Sequence, residues 1–117
     1  MGKAVSKKNI ARAREAHETS PDALGPQLAI VVYRNNLPAS AISTLLRVSL
    51  PTLYRWFYGV NDVDLRFRAR VARLLGILEG AAMVGRLPAH GDFADRVQTL
   101  VDIVRANLAT PPQQSVE

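Results

Sequence analysis

Ala39 to Gly59, ASAISTLLRVSLPTLYRWFYG, decides how the rest of the chain is understood. Ile42 and Leu46 stand one helical turn apart, and Leu53 and Trp56 repeat at i, i+3, with Val48 between the pairs. That spacing predicts two short helices turning their apolar faces to one small core, with Val48 plugging a turn of three to four residues. Ser49 is placed as N-cap of the second helix, ahead of Leu50, Pro51 and Thr52. Pro51 has no N–H, so the Ser49 hydroxyl is expected to accept from the Thr52 amide. Gly59 follows as a residue able to take positive φ and end the helix.

Outward from this stretch the signals are helical on both sides. Residues 1–19 are polar, Ala-rich and basic, with no apolar stripe, which predicts a flexible arm that becomes helical from about Ser6 on binding. Ser20-Pro21-Asp22 and Gly25-Pro26 both fit a helix start. The helix from there to about Asn35 buries Leu24, Leu28, Val31 and Val32. The run Ile30–Tyr33 resembles a strand but has no partner strand, so helix is preferred. After Gly59, Asp62 or Asp64 restarts the chain. Phe67, Val71, Leu74, Leu75 and Leu78 then form a core stripe, with Arg66, Arg70 and Arg73 on another face. Gly76 and Gly80 predict a break or a close helix contact. Asp92 caps a last helix whose stripe is Phe93, Val97, Leu100, Val101, Val104 and Leu108, and Thr110-Pro111-Pro112 stops it. The organisation expected is an arm over 1–19, a domain over 20–109 and a disordered tail over 110–117. The fold class is all-α, a compact bundle of about five or six helices.

Charge narrows the function. The net charge of +5 over 117 residues predisposes the chain to polyanions, because releasing counterions from nucleic acid drives association. Lys3, Lys7, Lys8, Arg12 and Arg14 crowd the N-terminus, while the balance reverses after residue 90. No apolar run is long enough to span a bilayer, and the N-terminal lysines lack the apolar segment of a signal peptide. The absence of cysteine removes disulfides and thiolate zinc sites and suits a cytoplasmic protein. Enzyme chemistry has no foothold. His17, in the arm, and His90, in a turn, are isolated and expected in solvent, and Asp92 and Asp95 look like a cap and a first-turn charge. Catalytic residues, metal and cofactor are therefore all expected to be none.

From Ile42 to Gly59 the chain resembles the helix-turn-helix domains of the phage lambda repressor and Cro type. Their common pattern is Leu-Ala-x-x-Leu-Gly-Val-Ser-x-x-Thr-Ile-Ser-x-Trp-x-x-Gly. The departures are Ser43 for the alanine at the helix contact, Arg47 for the turn glycine and Phe57 where glutamate is common. The resemblance implies a transcriptional regulator, of repressor type, whose helix Leu50–Tyr58 enters the major groove of double-stranded DNA. Ser49, Leu50, Pro51, Tyr54, Arg55 and Tyr58 are the implied base-facing residues, with Arg55 as the strong reader through bidentate contact with guanine. Arg47, Thr52 and the arm residues Lys3, Lys7, Lys8, Arg12 and Arg14 are the implied backbone or minor-groove contacts. A homodimer, built through residues 92–109, matches the two-half-site operators of such proteins. Two other uses of the same motif stay open: a factor binding a protein partner such as host RNA polymerase or a toxin, and a small subunit for packaging phage DNA.

Overall fold

The computed structural model describes the backbone of residues 3–109 and the side chains of residues 9–107. Six α-helices follow in order: α1 (Lys3–Thr19), α2 (Leu24–Arg34), α3 (Ala39–Leu46), α4 (Leu50–Phe57), α5 (Arg68–Met83) and α6 (Phe93–Ala109). A single 3₁₀ turn, Leu65–Phe67, leads into α5. The all-α bundle expected from periodicity is present, and no strand occurs among the described residues; Ile30–Tyr33 is helical. The expected tail, 110–117, lies outside the described residues.

Helix α2 is the hub, packed against α1, α4 and α5. Leu28, Ala29 and Val32 on it are fully buried, at the i, i+1, i+4 spacing of one helix face. It starts at the second of the two candidate positions, with Ala23 extended before Leu24. Gly25 explains that choice. A side chain there would collide with the Trp56 backbone carbonyl, so α2 and α4 meet through bare backbone. At its other end α2 stops on Asn36, in the left-handed region at φ 59°. The Asn36 side chain donates to the Ala89 carbonyl at 3.0 Å, and the Ala89 amide donates to the Asn35 carbonyl at 2.9 Å. These two bonds hold the α5–α6 connection against the α2–α3 turn.

Two expectations are met differently here. Residues 3–19, expected as an arm that becomes helical on binding, are helical in the free chain. Among the described side chains of α1, Ala13 is fully buried, with Ile10 and Ala16 half-buried on the same helix. A methyl group lets α1 approach α2 closely, so burial is achieved by proximity instead of side-chain size. His17, one turn beyond, is half-buried rather than solvated, and its Nδ1 is buried without a hydrogen-bond partner among the described residues. Secondly, α5 runs unbroken through Gly76 and Gly80, and neither glycine has any atom near the place its Cβ would take. Both simply face out, so neither a break nor a close contact is present.

The α5 stripe falls as expected and the α6 stripe only in part. Val71, Leu74, Leu75 and Leu78 are buried, and Phe67 packs on Trp56 with ring centres 5.6 Å apart. Asp64 starts the 3₁₀ turn, its Oδ1 accepting from the Arg66 amide at 3.1 Å. Asp92 and Asp95 cap α6 reciprocally: the Asp95 amide donates to Asp92 Oδ1 at 2.9 Å and the Asp92 amide to Asp95 Oδ2 at 3.1 Å. Among the described side chains of α6, Leu100 and Ile103 are buried, the latter outside the expected stripe; Leu108 lies outside the described side chains, and α6 packs on α5 of the same chain. Val97, Val101 and Val104 are only half-buried, and Phe93 is 54% exposed.

Candidate functional site

The pair α3 and α4 is joined by three residues, Arg47, Val48 and Ser49. Ile42, Leu46, Leu53 and Trp56 are buried and Val48 is half-buried, as their spacing predicts. Arg47 sits at φ 61°, ψ 42°, the left-handed conformation usual for glycine, so the turn keeps its shape despite the side chain. The Val48 amide closes it on the Ser43 carbonyl at 3.1 Å, and the Arg47 amide bonds the Thr44 carbonyl at 3.2 Å. Arg70 of α5 adds a charged donor to the free Leu46 carbonyl at 3.2 Å, favourable at a helix C-terminus. Ser43 is buried at the helix contact, and its hydroxyl donates back to the Ser40 carbonyl at 2.8 Å.

Ser49 caps α4 in the expected way, its hydroxyl accepting from the Thr52 amide at 3.2 Å. The Ser49 and Thr52 hydroxyls also bond each other at 2.9 Å, so Ser49 is largely spent on the cap. Gly59, at φ 74°, ends the helix, with the Val60 amide on the Arg55 carbonyl at 2.9 Å. A Cβ at Gly59 would press on Ala16 of α1, so this turn is also where α1 docks.

The outer face of α4 divides into two parts. Ser49, Pro51 and Arg55 are exposed, while Leu50, Thr52, Tyr54 and Tyr58 are half-buried. Tyr58 is tied inward: its hydroxyl shares a 2.8 Å hydrogen bond with Tyr33, and the Arg12 guanidinium lies 4.0 Å from its ring centre. Tyr54 stacks on Tyr58, ring centres 5.9 Å apart and planes 15° off parallel. Burial, then the hydrogen bond to Tyr58, pushes the Tyr33 phenol far above its ordinary range, and burial also raises Tyr54. Beneath these rings lies Phe57, fully buried and among the largest core side chains. It stands where glutamate is common in the pattern, an apolar core contact in place of a charge. Leu53, Trp56 and Phe57 form an i, i+3, i+4 set, which was the available signal that Phe57 faces inward.

Two grooves flank Arg55. One, about 450 Å³, is lined on the far side by Asp62, Asp64 and Arg66. The Asp64 carboxyl is held below the usual range by the Arg66 amide and then by the Arg66 side chain, with which it pairs at 3.4 Å. The other, about 370 Å³, is lined by Asn9 and Arg12 of α1, by Tyr54, Arg55 and Tyr58 of α4, and by Val60. It contains no carboxylate.

Of the backbone-contact candidates, Arg12 is thus brought beside α4. Arg14, about 200° further round α1, leaves on another face, and Arg47 is exposed at the turn. Lys3, Lys7 and Lys8 lie outside the described side chains. Sequence reasoning missed the Tyr33–Tyr58 pair and the Arg70 cap, both joining residues more than 20 positions apart. No group of three or more His, Cys, Asp or Glu that might hold a metal occurs among the described residues. No described helix is long and apolar enough to cross a membrane. Comparison with protein-family models, with curated proteins and with solved structures found no match for this chain.

Proposed function

We propose that this chain is a sequence-preferring double-stranded-DNA-binding regulator, of repressor type, in which α3 and α4 act as a helix-turn-helix and α4 enters the major groove. The observation that carries the reading is the α3–α4 unit. It has a three-residue turn, a left-handed residue where the pattern has glycine, a Ser49 cap on Thr52, and a core that leaves Ser49, Pro51 and Arg55 outward. In this reading Arg55 donates to a guanine, while Pro51 and the exposed part of Leu50 meet thymine methyls. Tyr54 contributes through its exposed edge. Tyr58 is withdrawn from base contact, because Tyr33 holds its hydroxyl and Arg12 covers its ring.

One reader and few other donors make phosphate contacts and DNA shape large contributors to affinity. Two-fold pairing through α6 extends the reading to two half-sites, with exposed Phe93 and half-buried Val97 and Val101 as the surface. A gel-shift titration of the preferred duplex tests it. The Arg55→Ala protein is expected to bind more weakly and to discriminate less against a scrambled duplex. Wild-type affinity in that variant removes Arg55 from the role. A protein-binding reading is favoured by Asp62 and Asp64 beside α4 and by exposed Val60 and Leu65 in the same segment. It predicts no salt-sensitive affinity for duplex DNA.

A further inference from the structure

We infer that the cleft between α1 and α4 is a phosphodiester-binding groove, in which α1 serves as a fixed second wall gripping one DNA strand beside the recognition helix. This deepens the DNA-binding reading above and rests on it. The two grooves bordering Arg55 differ in charge. The one toward the 3₁₀ turn sets the carboxylates of Asp62 and Asp64 against Arg66, already paired with Asp64 at 3.4 Å, and Arg55, so it holds no excess of positive charge for a phosphate. The one toward α1 brings the Arg12 and Arg55 guanidiniums together with the Asn9 amide and the Tyr54 and Tyr58 rings, and no carboxylate opposes them. A polyanion following Arg55 is therefore directed to the α1 side.

The state of Arg12 supports the same assignment. Its guanidinium lies 4.0 Å from the Tyr58 ring centre, and its N–H donors make no hydrogen bond among the described residues, which leaves them available for a phosphate. Neither Arg12 nor Arg55 forms an ion pair among the described residues. Tyr58 is itself anchored to Tyr33 of α2, so the ring that positions Arg12 is held by the hub of the fold. Buried Ala13 and the Ala16–Gly59 approach hold α1 in place without any ligand. The grip is thus built before binding, unlike an arm that must fold on DNA and spend ordering entropy then.

The experiment measures duplex affinity across a salt series for the full chain and three variants. Arg12→Gln removes the charge, Arg12→Lys keeps it, and Asn9→Asp places a carboxylate in the groove one turn from Arg12, where it competes with phosphate for the guanidinium. Arg12→Gln is expected to flatten the log–log salt slope by about 0.9, the share of one phosphate, equally on preferred and random duplexes. Arg12→Lys is expected to retain the slope, and Asn9→Asp to weaken both duplexes by the same factor. If Arg12→Gln does not fold, Asn9→Asp decides alone. Wild-type slope and affinity in both Arg12→Gln and Asn9→Asp overturn the groove. If those two are unchanged while Arg55→Ala loses discrimination, the groove alone fails. If the wild type has no salt-sensitive duplex affinity, the DNA-binding reading fails with it.

Discussion

Arg47 holds a left-handed backbone at φ 61°, a conformation that costs a residue with a Cβ about 1 kcal/mol or more relative to glycine. Arg47→Gly is therefore expected to raise stability to denaturant by up to about 1 kcal/mol. If the guanidinium contacts phosphate, the same variant loses DNA affinity while gaining stability. Gly25 is the opposite case. Any side chain there meets the Trp56 carbonyl, which is backbone and cannot step aside. Gly25→Ala is expected to cost about 2 kcal/mol or more by forcing α2 off α4, and urea melts will show it. Tyr33 adds a pH dependence. Its phenol is raised above the ordinary tyrosine value by burial and by Tyr58. A raised folded-state value means its contribution is fully present below the unfolded value, about 10, and is lost as pH climbs above it. Phenolate absorbance should show one tyrosine ionising later than the others, and Tyr33→Phe should abolish that late step.

Among the elements, α3 and α4 were the most legible. Four apolar positions, a serine cap and a glycine stop determine each other over a short span, and local pattern sees short spans well. The α1 helix was not legible as a docked element, because its contact runs through Ala13 and Ala16 and through Arg12 on Tyr58. Alanine gives little signal in a pattern tuned to large apolar side chains, and a cation over a distant ring gives none. Gly76 and Gly80 misled in the other direction. Their propensity cost is real, yet the packing of Val71, Leu74, Leu75 and Leu78 carries α5 through both. Since each would-be Cβ meets open space, Gly76→Ala and Gly80→Ala are each expected to stabilise by about 1 kcal/mol. Thermal melts of the single and double variants check this, and near-additive gains are expected.

At the scale of the molecule, α2 organises a six-helix bundle that presents α4 on one side, with α1 beside it and α6 packed on α5. The candidate site was only partly legible. Arg55, Pro51 and Ser49 are exposed as the resemblance implied, whereas Leu50 is half-buried at the start of α4 and Tyr54 and Tyr58 are half-buried where α1 and α2 pack around its C-terminal half. That packing is long-range and leaves no local trace in the sequence. The exposed remainder of α6 bears on assembly: sedimentation at micromolar concentration is expected to show a dimer, and substituting Phe93 and Val97 by serine to shift it toward monomer. The central claim concerns what α4 touches. The most direct measurement is selection of bound duplexes from a random-sequence pool at low and moderate salt. The account predicts recovery of a shared pattern containing a guanine whose preference disappears in Arg55→Ala, with affinity falling as salt rises. Recovery of no common pattern, together with duplex affinity indifferent to salt, would contradict it.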